Sequence, residues 1–539
     1  MRLVDYLHKG ASLAPEAPCL TTDGETWTYR TVVELSDAIA AGLRARGVRP
    51  GQSVAILSAN DPTAFSCVFG ISAAGAVWCP INPRNEAEEN RELLELFDCV
   101  ALIFHSAYAP LVAQIRDRLP GLTTLVCFDA DLPDLAGVLT WADFLATRAA
   151  TAPPVPSGSS GPSTPGDTLA MIVGTGGTTG RPKGVMLTCA NLETMTSLTL
   201  MSYPFSGVPR YLALAPLTHA AGVLCFPVLA RGGEIVVMRH PDVAEFLALI
   251  ERHRITHTFL PPTLIYLALA HPDLPATDLG SLECFWYGAA PMSPSRLAEA
   301  LDRIGPMAQL FGQTEAPMMI ATLAPADHRR ADGSIATERL TSAGRPTPLC
   351  TVSILGSDGE PVATGTDGEI CVRGSLVMAG YYKNPEATAE AFAGGWHHTG
   401  DIGHLDADGF LQIVDRAKDM IITGGFNVYS TEVEQALLAH ADVHDCGVIG
   451  LPDDKWGERV VAVVQPVPGA SPDPADLQAF VKGRIGSVKT PKEVFVWPDL
   501  PRSKVGKVLK NEIKASLRED GAAAGTGTST STPGLPQSG

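Results

Sequence analysis

Residues 172–184 read IVGTGGTTGRPKG, an apolar run that opens into a loop rich in glycine and threonine and ends on a lysine. Such a loop can adopt backbone angles that side chains forbid, and it can turn its N–H groups toward an anion. The residues that would line it are Gly174, Thr175, Gly176, Gly177, Thr178, Thr179, Gly180 and Lys183. The pattern indicates a phosphate-binding loop, with a solvated turn as the alternative. A Walker A loop is excluded, because Arg181 stands where that motif needs lysine.

Short apolar runs alternate with helical patterns over the first half of the chain, which is typical of a layered α/β fold. Apolar residues recur at helical spacing from Tyr29 to Leu43, and 54–58 then reads as a short buried strand. Further strands are predicted at 101–104, 124–128, 170–173, 211–215, 235–237 and 257–260. Residues 153–166, rich in Pro, Ser and Gly, are predicted to form a mobile surface loop.

The pattern of predicted secondary structure changes in the last third of the chain. Between Val352 and Val414, short strand patterns are separated by tight turns at SDGE, TDGE and ADGF, which predicts a small antiparallel β unit. After Asp520, the run GAAAGTGTSTSTPGLPQSG offers almost nothing to pack and is predicted to be disordered.

Composition narrows the class of protein. The chain has 539 residues, 45% of them apolar, and a formal charge of −18, so it can bury large cores but has no basic surplus for a nucleic-acid partner. Its eleven cysteines form no C-x-x-C pair and no zinc-type spacing with histidine, which favours a reducing cytoplasm over a disulfide framework. The amino terminus lacks the apolar core of a signal peptide, and the longest apolar stretch, AAGVLCFPVLA, is too short for a transmembrane segment.

Five more motifs follow the loop in order: YGAAP at 287–291, FGQTE at 311–315, WHHTGD at 396–401, DRAKDMIITGGFNVYSTEVE from Asp415, and PRSKVGKVLK at 501–510. Together they resemble the adenylate-forming superfamily of acyl- and aryl-CoA synthetases, luciferases and peptide-synthetase adenylation domains. The resemblance runs from about residue 10 to residue 515. It implies an ATP-dependent acid:CoA ligase that releases AMP and uses ATP, Mg²⁺ and coenzyme A.

The resemblance also implies a domain layout. A large N-terminal domain of layered α/β subdomains, with the small β unit, would occupy residues 1–415. A small, mobile α+β lid domain would follow at 416–518, and residues 519–539 would form the disordered tail.

The family's phosphate and metal ligands match positions in two of the motifs. By resemblance, the loop from Thr175 to Lys183 holds the β- and γ-phosphates, Thr314 contacts the α-phosphate, and Glu315 holds magnesium. One carboxylate suits magnesium, which keeps waters and phosphate oxygens as its other ligands. An isolated glutamate would otherwise be read as an ordinary surface charge.

The nucleoside is assigned in the same way. Adenine would lie against small residues that follow a strand-like CFWY, with Phe311 over its other face; the residues are Gly288, Ala289, Ala290, Pro291 and Gly312. Asp401 matches the residue that accepts hydrogen bonds from both ribose hydroxyls, and Arg416 matches a further ribose contact. The alternative for the segment that begins at Gly288 is a strand-to-helix turn. The alternative for Asp401 is an aspartate that only forms a turn.

The C-terminal motifs supply the moving parts in the family. Lys507 matches the lysine that bridges the substrate carboxylate and the α-phosphate, with Lys504 and Lys510 as its alternatives. Lys418 matches the residue about which the lid turns for thioester formation. Gly424 and Gly425 would then open a narrow channel for pantetheine.

The acid itself is the least specified partner. His219 matches a position that closes the gap between the carboxylate site and the thiol channel, although a core histidine is the alternative. Residues 257–266, with Val223, Tyr287 and Met318, suggest an apolar pocket for a fatty, cyclic or aromatic acid.

Two rival functions stay open at the level of sequence. One is an adenylating enzyme that loads the pantetheine of a carrier protein, and the other is a nucleotide-binding protein that has lost its chemistry. The presence of Glu315, Asp401, Arg416 and Lys507 counts against the second.

Overall fold

Strand ends carry most of the residues singled out above. The computed structural model describes residues 1–22, 24–146, 166, 168–175, 182–218, 220–453, 455–502 and 508–524. The strands in these residues are β1 (Pro18–Thr22), β2 (Glu25–Thr28), β3 (Ser53–Leu57), β4 (Val77–Ile81), β5 (Cys99–Phe104), β6 (Thr124–Cys127), β7 (Val138–Leu139), β8 (Leu169–Thr175), β9 (Lys183–Thr188), β10 (Arg210–Ala213), β11 (Glu234–Val237), β12 (His257–Leu260), β13 (Cys284–Gly288), β14 (Met307–Gln313), β15 (Ala316–Leu323), β16 (Arg345–Pro346), β17 (Thr351–Leu355), β18 (Gly368–Arg373), β19 (Gly380–Tyr381), β20 (His397–Leu405), β21 (Leu411–Arg416), β22 (Ile421–Thr423), β23 (Phe426–Val428), β24 (Val443–Asp453), β25 (Gly457–Pro466) and β26 (Glu493–Val496).

The helices begin at clear local signals. Thr28 caps the second helix by accepting from the N–H of Thr31, and Asp61 caps the third with Pro62 at its first position. The helices are α1 (Leu3–Leu13), α2 (Tyr29–Ala45), α3 (Pro62–Ala73), α4 (Ala87–Leu96), α5 (Ala109–Ile115), α6 (Trp141–Ala146), α7 (Cys189–Ser202), α8 (Ala220–Val223), α9 (Cys225–Ala230), α10 (Val243–Arg252), α11 (Pro262–Ala270), α12 (Pro294–Arg303), α13 (Pro385–Ala391), α14 (Ser430–Leu438), α15 (Pro474–Ile485) and α16 (Lys510–Ala524).

Two large sheets form the framework of the first part of the chain. One has the strand order β16-β15-β14-β13-β12-β10-β11-β1-β2, and the strands from β14 to β1 run parallel. The other has the order β19-β9-β8-β4-β3-β5-β6-β7, with β9 and β19 antiparallel to their neighbours. Parallel strands leave their carboxyl ends at one edge, which is where ligands collect in α/β proteins.

Alternating side chains place these sheets between layers of helices. In β3, Val54 and Ile56 join the large core with α1, α2, α3, α7 and α9, while the intervening residues join α4 and α5 on the opposite face. In β13, Trp286 faces the same large core, whereas Tyr287 packs with α10, α11 and α12. The arrangement is five layers deep, helix–sheet–helix–sheet–helix.

The small β unit follows these layers. A four-stranded sheet has the order β17-β18-β20-β21, and β17 pairs antiparallel with β18. Its own small core includes Ile354, Ile370 and Leu411. This agrees with the turns at SDGE, TDGE and ADGF that predicted such a unit.

The chain separates into two compact units. The first comprises Met1–Thr399 and Gly403–Ile413, and the second comprises Gly400–Ile402 and the residues from Val414 onward. In the second unit, β23, β22, β25 and β24 form a sheet to which β26 adds in parallel beside β25. Val460 and Ala462 of β25 face α14 and α15, and Val461 and Val463 face α16.

The predicted fold class, with its layered α/β part and smaller α+β part, is confirmed, and several elements match closely. β12 occupies the predicted residues, and α2 begins at the predicted Tyr29. Helix α16 continues to Ala524 and so includes the first residues of the segment predicted to be a disordered tail. No helix among the described residues has both the length and the apolar character needed to cross a membrane.

Candidate active site

The two flanks of the glycine-rich loop are held in a hairpin. Strands β8 and β9 pair antiparallel, and Thr175 lies opposite Lys183 at the end of the hairpin next to the loop. The predicted phosphate ligands Gly176, Gly177, Thr178, Thr179 and Gly180 lie outside the described residues. The hairpin brings Thr175 and Lys183 together, and the roles of the loop residues stay predictions.

The sequence predicts that Gly174 gives the loop its backbone freedom, but the structure shows that it provides space for packing. It pairs with Gly184 inside the hairpin, and a Cβ at Gly174 would come within 2.9 Å of the Leu93 side chain. A Cβ at Gly184 would come within 2.7 Å of Phe97. These glycines allow α4 to pack against the hairpin, so Gly174 is a packing residue and not part of the loop's turn.

The YGAAP and FGQTE motifs end two neighbouring parallel strands. Gly288 lies opposite Leu310 in the β13–β14 pair, and a Cβ on Gly288 would fall 2.4 Å from the Leu310 carbonyl oxygen. Ala289 follows with φ +66°, a left-handed angle that few side chains adopt. The register therefore places Ala289, Ala290 and Pro291 beside the segment that continues to Phe311.

Gly312 is required by the tight turn that carries Thr314 and Glu315. The turn joins β14 and β15, and a Cβ on Gly312 would meet the Met318 nitrogen at 2.3 Å. Thr314 and Glu315 are both half-buried at the tip of this hairpin. The two side chains assigned to the α-phosphate and magnesium thus project from a backbone that tolerates no bulk.

Tyr381 joins Glu315 to Lys183, and sequence reasoning missed it. Its hydroxyl donates to Oε1 of Glu315 at 2.9 Å, and the Lys183 ammonium lies 4.8 Å from the centroid of its ring. Burial raises the pKa of Tyr381, and the nearby Glu315 carboxylate raises it further. The end of the phosphate loop and the predicted metal ligand therefore meet on one aromatic side chain.

Gln313 connects the same turn to strand β20. Its Nε2 donates to the Thr399 carbonyl at 2.9 Å, and its Oε1 lies 3.2 Å from Nε2 of His397. His397 is buried, and burial lowers its pKa. Gln313 therefore braces β20 two residues before Asp401.

The neighbouring His398 belongs to a second cluster. Its Nδ1 lies 2.7 Å from Glu369 and 3.5 Å from the Cys371 sulfur, on adjacent strands of the small β sheet. Burial and then the Glu369 charge raise the pKa of the Cys371 thiol to about 12, so the thiol is protonated near neutral pH. The cluster is best described as a His–carboxylate pair over a buried thiol.

In the second unit, the two predicted ribose contacts touch each other. Arg416 Nε lies 2.6 Å from Oδ1 of Asp401, and Asp401 is buried while Arg416 is exposed. Asp415 beside them accepts hydrogen bonds from the Ser430 amide and hydroxyl at the start of α14. The arrangement fixes the Asp401 carboxylate while leaving the guanidinium at the surface.

Lys418 and the TGGFN turn follow. Lys418 is exposed, and β22 and β23 form a hairpin with Thr423 opposite Phe426. Gly424 and Gly425 both have positive φ, as a two-residue type I′ turn requires. A Cβ at Gly424 would meet the Trp456 ring at 2.9 Å, whereas a Cβ at Gly425 would meet nothing within 4 Å.

The predicted catalytic Lys507 lies outside the described residues, but its alternative Lys510 does not. Lys510 begins α16, contacts Glu434 at 2.7 Å and donates to the Ser430 hydroxyl at 2.6 Å. Burial opposes its charge, but the attraction of Glu434 keeps the pKa of Lys510 above its ordinary value. Lys510 is a structural anchor, which removes it as a rival for the reacting lysine.

His219 also lies outside the described residues, and Asn60 holds the segment that leads to it. The Asn60 amide donates to the carbonyls of Leu214 and Ala215, and its Oδ1 accepts from the Leu217 amide at 2.8 Å. This asparagine, some 150 residues away in sequence, carried no signal that sequence reasoning could use.

The residues suggested for the acid lie on both faces of the nine-stranded sheet, so the prediction that they line one pocket is wrong for Tyr287 and Tyr266. Val223 belongs to the core on the inner face of the nine-stranded sheet, whereas Tyr287 belongs to the core on its outer face. Tyr266 packs on the outer face too, and its hydroxyl accepts from the Ser293 amide. The alternation of β13 places Tyr287 on the opposite side from Trp286, whereas Met318 and Phe259, from the predicted segment, pack on the same side as Val223.

Comparison with known proteins places this geometry in a family. The AMP-binding enzyme family matches residues 7–382, and the AMP-binding enzyme C-terminal domain matches residues 432–507. The medium/long-chain fatty acid–CoA ligase FadD8 of Mycobacterium tuberculosis is 39% identical over 92% of this chain and 87% of its own. The feruloyl-CoA synthase of an Amycolatopsis species is 36% identical over 94% and 96%.

A solved structure with a similar fold supports the same family. The amide bond synthetase McbA from Marinactinospora thermotolerans superposes with a TM-score of 0.84 at 32% identity, covering 95% of this chain and 99% of that one. The resemblance inferred from the six motifs is thereby confirmed. The chain belongs to the AMP-binding enzyme family.

Proposed function

We propose that this protein is an ATP-dependent acid:CoA ligase that forms AMP and converts an apolar carboxylic acid to its CoA thioester. Two relatives whose alignments cover more than nine-tenths of this chain are named for their acids, one for a fatty acid and the other for an aromatic acid. The observation that carries the proposal is the meeting of Lys183, Tyr381 and Glu315 at the strand ends, within that family match. This contact supports the proposal, in which Lys183 would bind phosphate and Glu315 would bind a metal ion.

The chemistry explains why these groups are needed. A carboxylate is a poor acyl donor because oxide is a poor leaving group, and an acyl adenylate replaces oxide with AMP. The carboxylate must approach an anionic phosphate, so cations and oriented N–H dipoles are required around it. We assign the phosphates to the loop between Thr175 and Lys183 and the α-phosphate contact to Thr314.

Glu315 fits a magnesium ion. Its carboxylate is half-buried, Tyr381 donates to Oε1, and Oε2 has no hydrogen-bond partner among the described residues. Magnesium takes one or two carboxylates and completes its shell with water and phosphate oxygens. When bound, the ion would neutralise charge on the phosphates.

The nucleoside residues keep their proposed roles. Ala289, Ala290 and Pro291 would contact the adenine, with Phe311 on its other side. Asp401 would accept from the ribose hydroxyls, and its contact with Arg416 at 2.6 Å orients the carboxylate for that purpose.

The C-terminal part is proposed to act as a lid over residues 416–518, following an N-terminal domain of residues 1–415. Lys507 would bridge the acid and the α-phosphate in the first step. Rotation about Lys418 would then bring the hairpin with Gly424 and Gly425 to admit the thiol, and His219 would close the thiol channel. All eleven cysteines are unpaired and buried, which supports the proposed reducing, cytoplasmic location.

The decisive experiment is ATP–pyrophosphate exchange with Mg²⁺ over a panel of fatty, cyclic and aromatic acids. We expect exchange with at least one apolar acid, followed by AMP release that depends on free CoA. Release that depends on a phosphopantetheinyl carrier protein, and not on CoA, would identify the carrier-loading alternative. Absence of exchange with every acid would refute the proposal.

A further inference from the structure

We propose that Tyr381 is a positioning residue that sets the Glu315 carboxylate for its metal ion while separating it from Lys183. The inference rests on the proposed function, because it takes Glu315 as the magnesium ligand. It concerns a side chain that belongs to none of the six motifs.

The backbone around Tyr381 is held on both sides. Strand β19 pairs antiparallel with β9, so that Tyr381 lies opposite Val185, two residues after Lys183. The Tyr382 amide donates to the Gly184 carbonyl at 2.7 Å, and the Tyr381 amide donates to the Thr388 hydroxyl at 2.9 Å. The ring therefore has a defined position relative to the end of the phosphate loop.

The same segment holds Glu315 at two points. The Met378 amide donates to the Glu315 carbonyl at 2.7 Å, and the Tyr381 hydroxyl donates to Oε1 of its carboxylate at 2.9 Å. An ionised carboxylate can only accept, so the phenol must keep its proton. One carboxylate oxygen is thus engaged, and the other is oriented for a cation.

The ring also keeps two opposite charges apart. Lys183 lies 4.8 Å from the ring centroid, at cation–π distance, and it forms no salt bridge with Glu315. A direct pair would neutralise both charges before the nucleotide arrives. With Tyr381 between them, the ammonium remains available for phosphate and the carboxylate for the metal.

The test compares Tyr381→Phe, which removes only the hydroxyl, with Tyr381→Leu, which removes the ring as well. Tyr382→Phe is the matched control, because the Tyr382 hydroxyl donates to Asp98 on the adjacent surface. The readouts are the Mg²⁺ dependence of ATP–pyrophosphate exchange and the affinity for Mn²⁺ with ATP, measured by electron paramagnetic resonance.

We expect Tyr381→Phe to raise the half-saturating Mg²⁺ concentration about tenfold and to weaken Mn²⁺ binding similarly, as loss of a ligand's hydrogen-bond partner does elsewhere. The exchange rate should recover at high Mg²⁺. Tyr381→Leu should in addition raise the KM for ATP, because Lys183 loses its ring. Tyr382→Phe should match the parent protein in both readouts.

An unchanged Mg²⁺ curve for Tyr381→Phe, or a lower rate that Mg²⁺ does not restore, would overturn the inference. Failure of the proposed function is recognised separately. In that case the parent protein shows no exchange with any acid, or Glu315→Gln leaves Mn²⁺ binding unchanged.

Discussion

The two units differ in the polar groups that their most perturbed sites contain. In the first unit, burial lowers the pKa of His257 and of His328 to about 4, so both rings are uncharged at neutral pH. The second unit buries a charged pair, Lys510 and Glu434, whose side chains are 18% and 16% exposed. Strand register positions the site residues of the first unit. The positions of those in the second unit depend on ion pairs near α14 and α16.

Glycine shows the same contrast. Gly288 and Gly312 of the first unit permit close approach of neighbouring backbone, with added Cβ atoms at 2.4 and 2.3 Å from it. Gly425 of the second unit has open space around it and is needed only for its φ of +82°. Added volume should therefore damage the first unit more, and removed charge should damage the second.

The sharpest test contrasts two lysines that are three residues apart. Lys507→Ala should lower adenylate formation by about 10³-fold, because it removes the cation proposed to act on the developing charge. Thioester formation from a presynthesised acyl adenylate should persist, as should thermal stability. The two half-reactions are assayed separately by pyrophosphate exchange and CoA consumption, and equal loss in both would contradict the assignment.

Lys510→Met should instead destabilise the second unit by about 3–5 kcal/mol, because it leaves the largely buried Glu434 carboxylate without its cationic partner. Hydrogen exchange of the β24 and β25 amides measures this free energy. Lys514→Met is the matched control on the same helix, since its pair with Glu458 is at 3.8 Å and more exposed. That change should cost less than about 1 kcal/mol. Equal effects would show that the buried pair is not the anchor.

The glycine contrast is tested by adding side chains. Gly312→Ala should cost about 3 kcal/mol through overpacking and should lower pyrophosphate exchange. Gly425→Leu should cost about 1–2 kcal/mol, from strain at positive φ alone. It should keep pyrophosphate release and lose CoA consumption if the thiol channel passes this turn. Urea denaturation with both assays checks these results, and continued CoA use in Gly425→Leu would show that the channel lies elsewhere.

The buried histidines of the first unit predict a dependence of its stability on pH. Between pH 6.5 and 5, His257 and His328 take up protons when unfolded but stay neutral when folded, since their folded pKa values are about 4. The stability of the first unit is therefore complete above pH 6.5 and should fall by up to about 2 kcal/mol per histidine by pH 5. His328→Gln should flatten this slope in pH-dependent denaturation, and a slope equal to that of the parent protein would refute it.

Local pattern was sufficient for much of the fold. The residues of β12 follow from the strand period of two, and the start of α2 follows from the helical period of 3.6 after the cap Thr28. These signals act between residues that are only a few positions apart. The order of the six motifs was likewise sufficient for the family. Local pattern could not predict on which face of the nine-stranded sheet a side chain packs, and Val223 and Tyr287 were therefore assigned to one pocket.

The sequence by itself determined the family, the layered α/β class and the motif residues at the strand ends. Only the tertiary structure decided which distant residues meet: Tyr381 reaches Glu315 across 66 positions, and His398 reaches Glu369 across 29. The physical reason is that propensity and periodicity act along the chain, whereas these contacts depend on strand register between segments that become neighbours only after folding. The same register separates Lys183 from Glu315 by one aromatic ring.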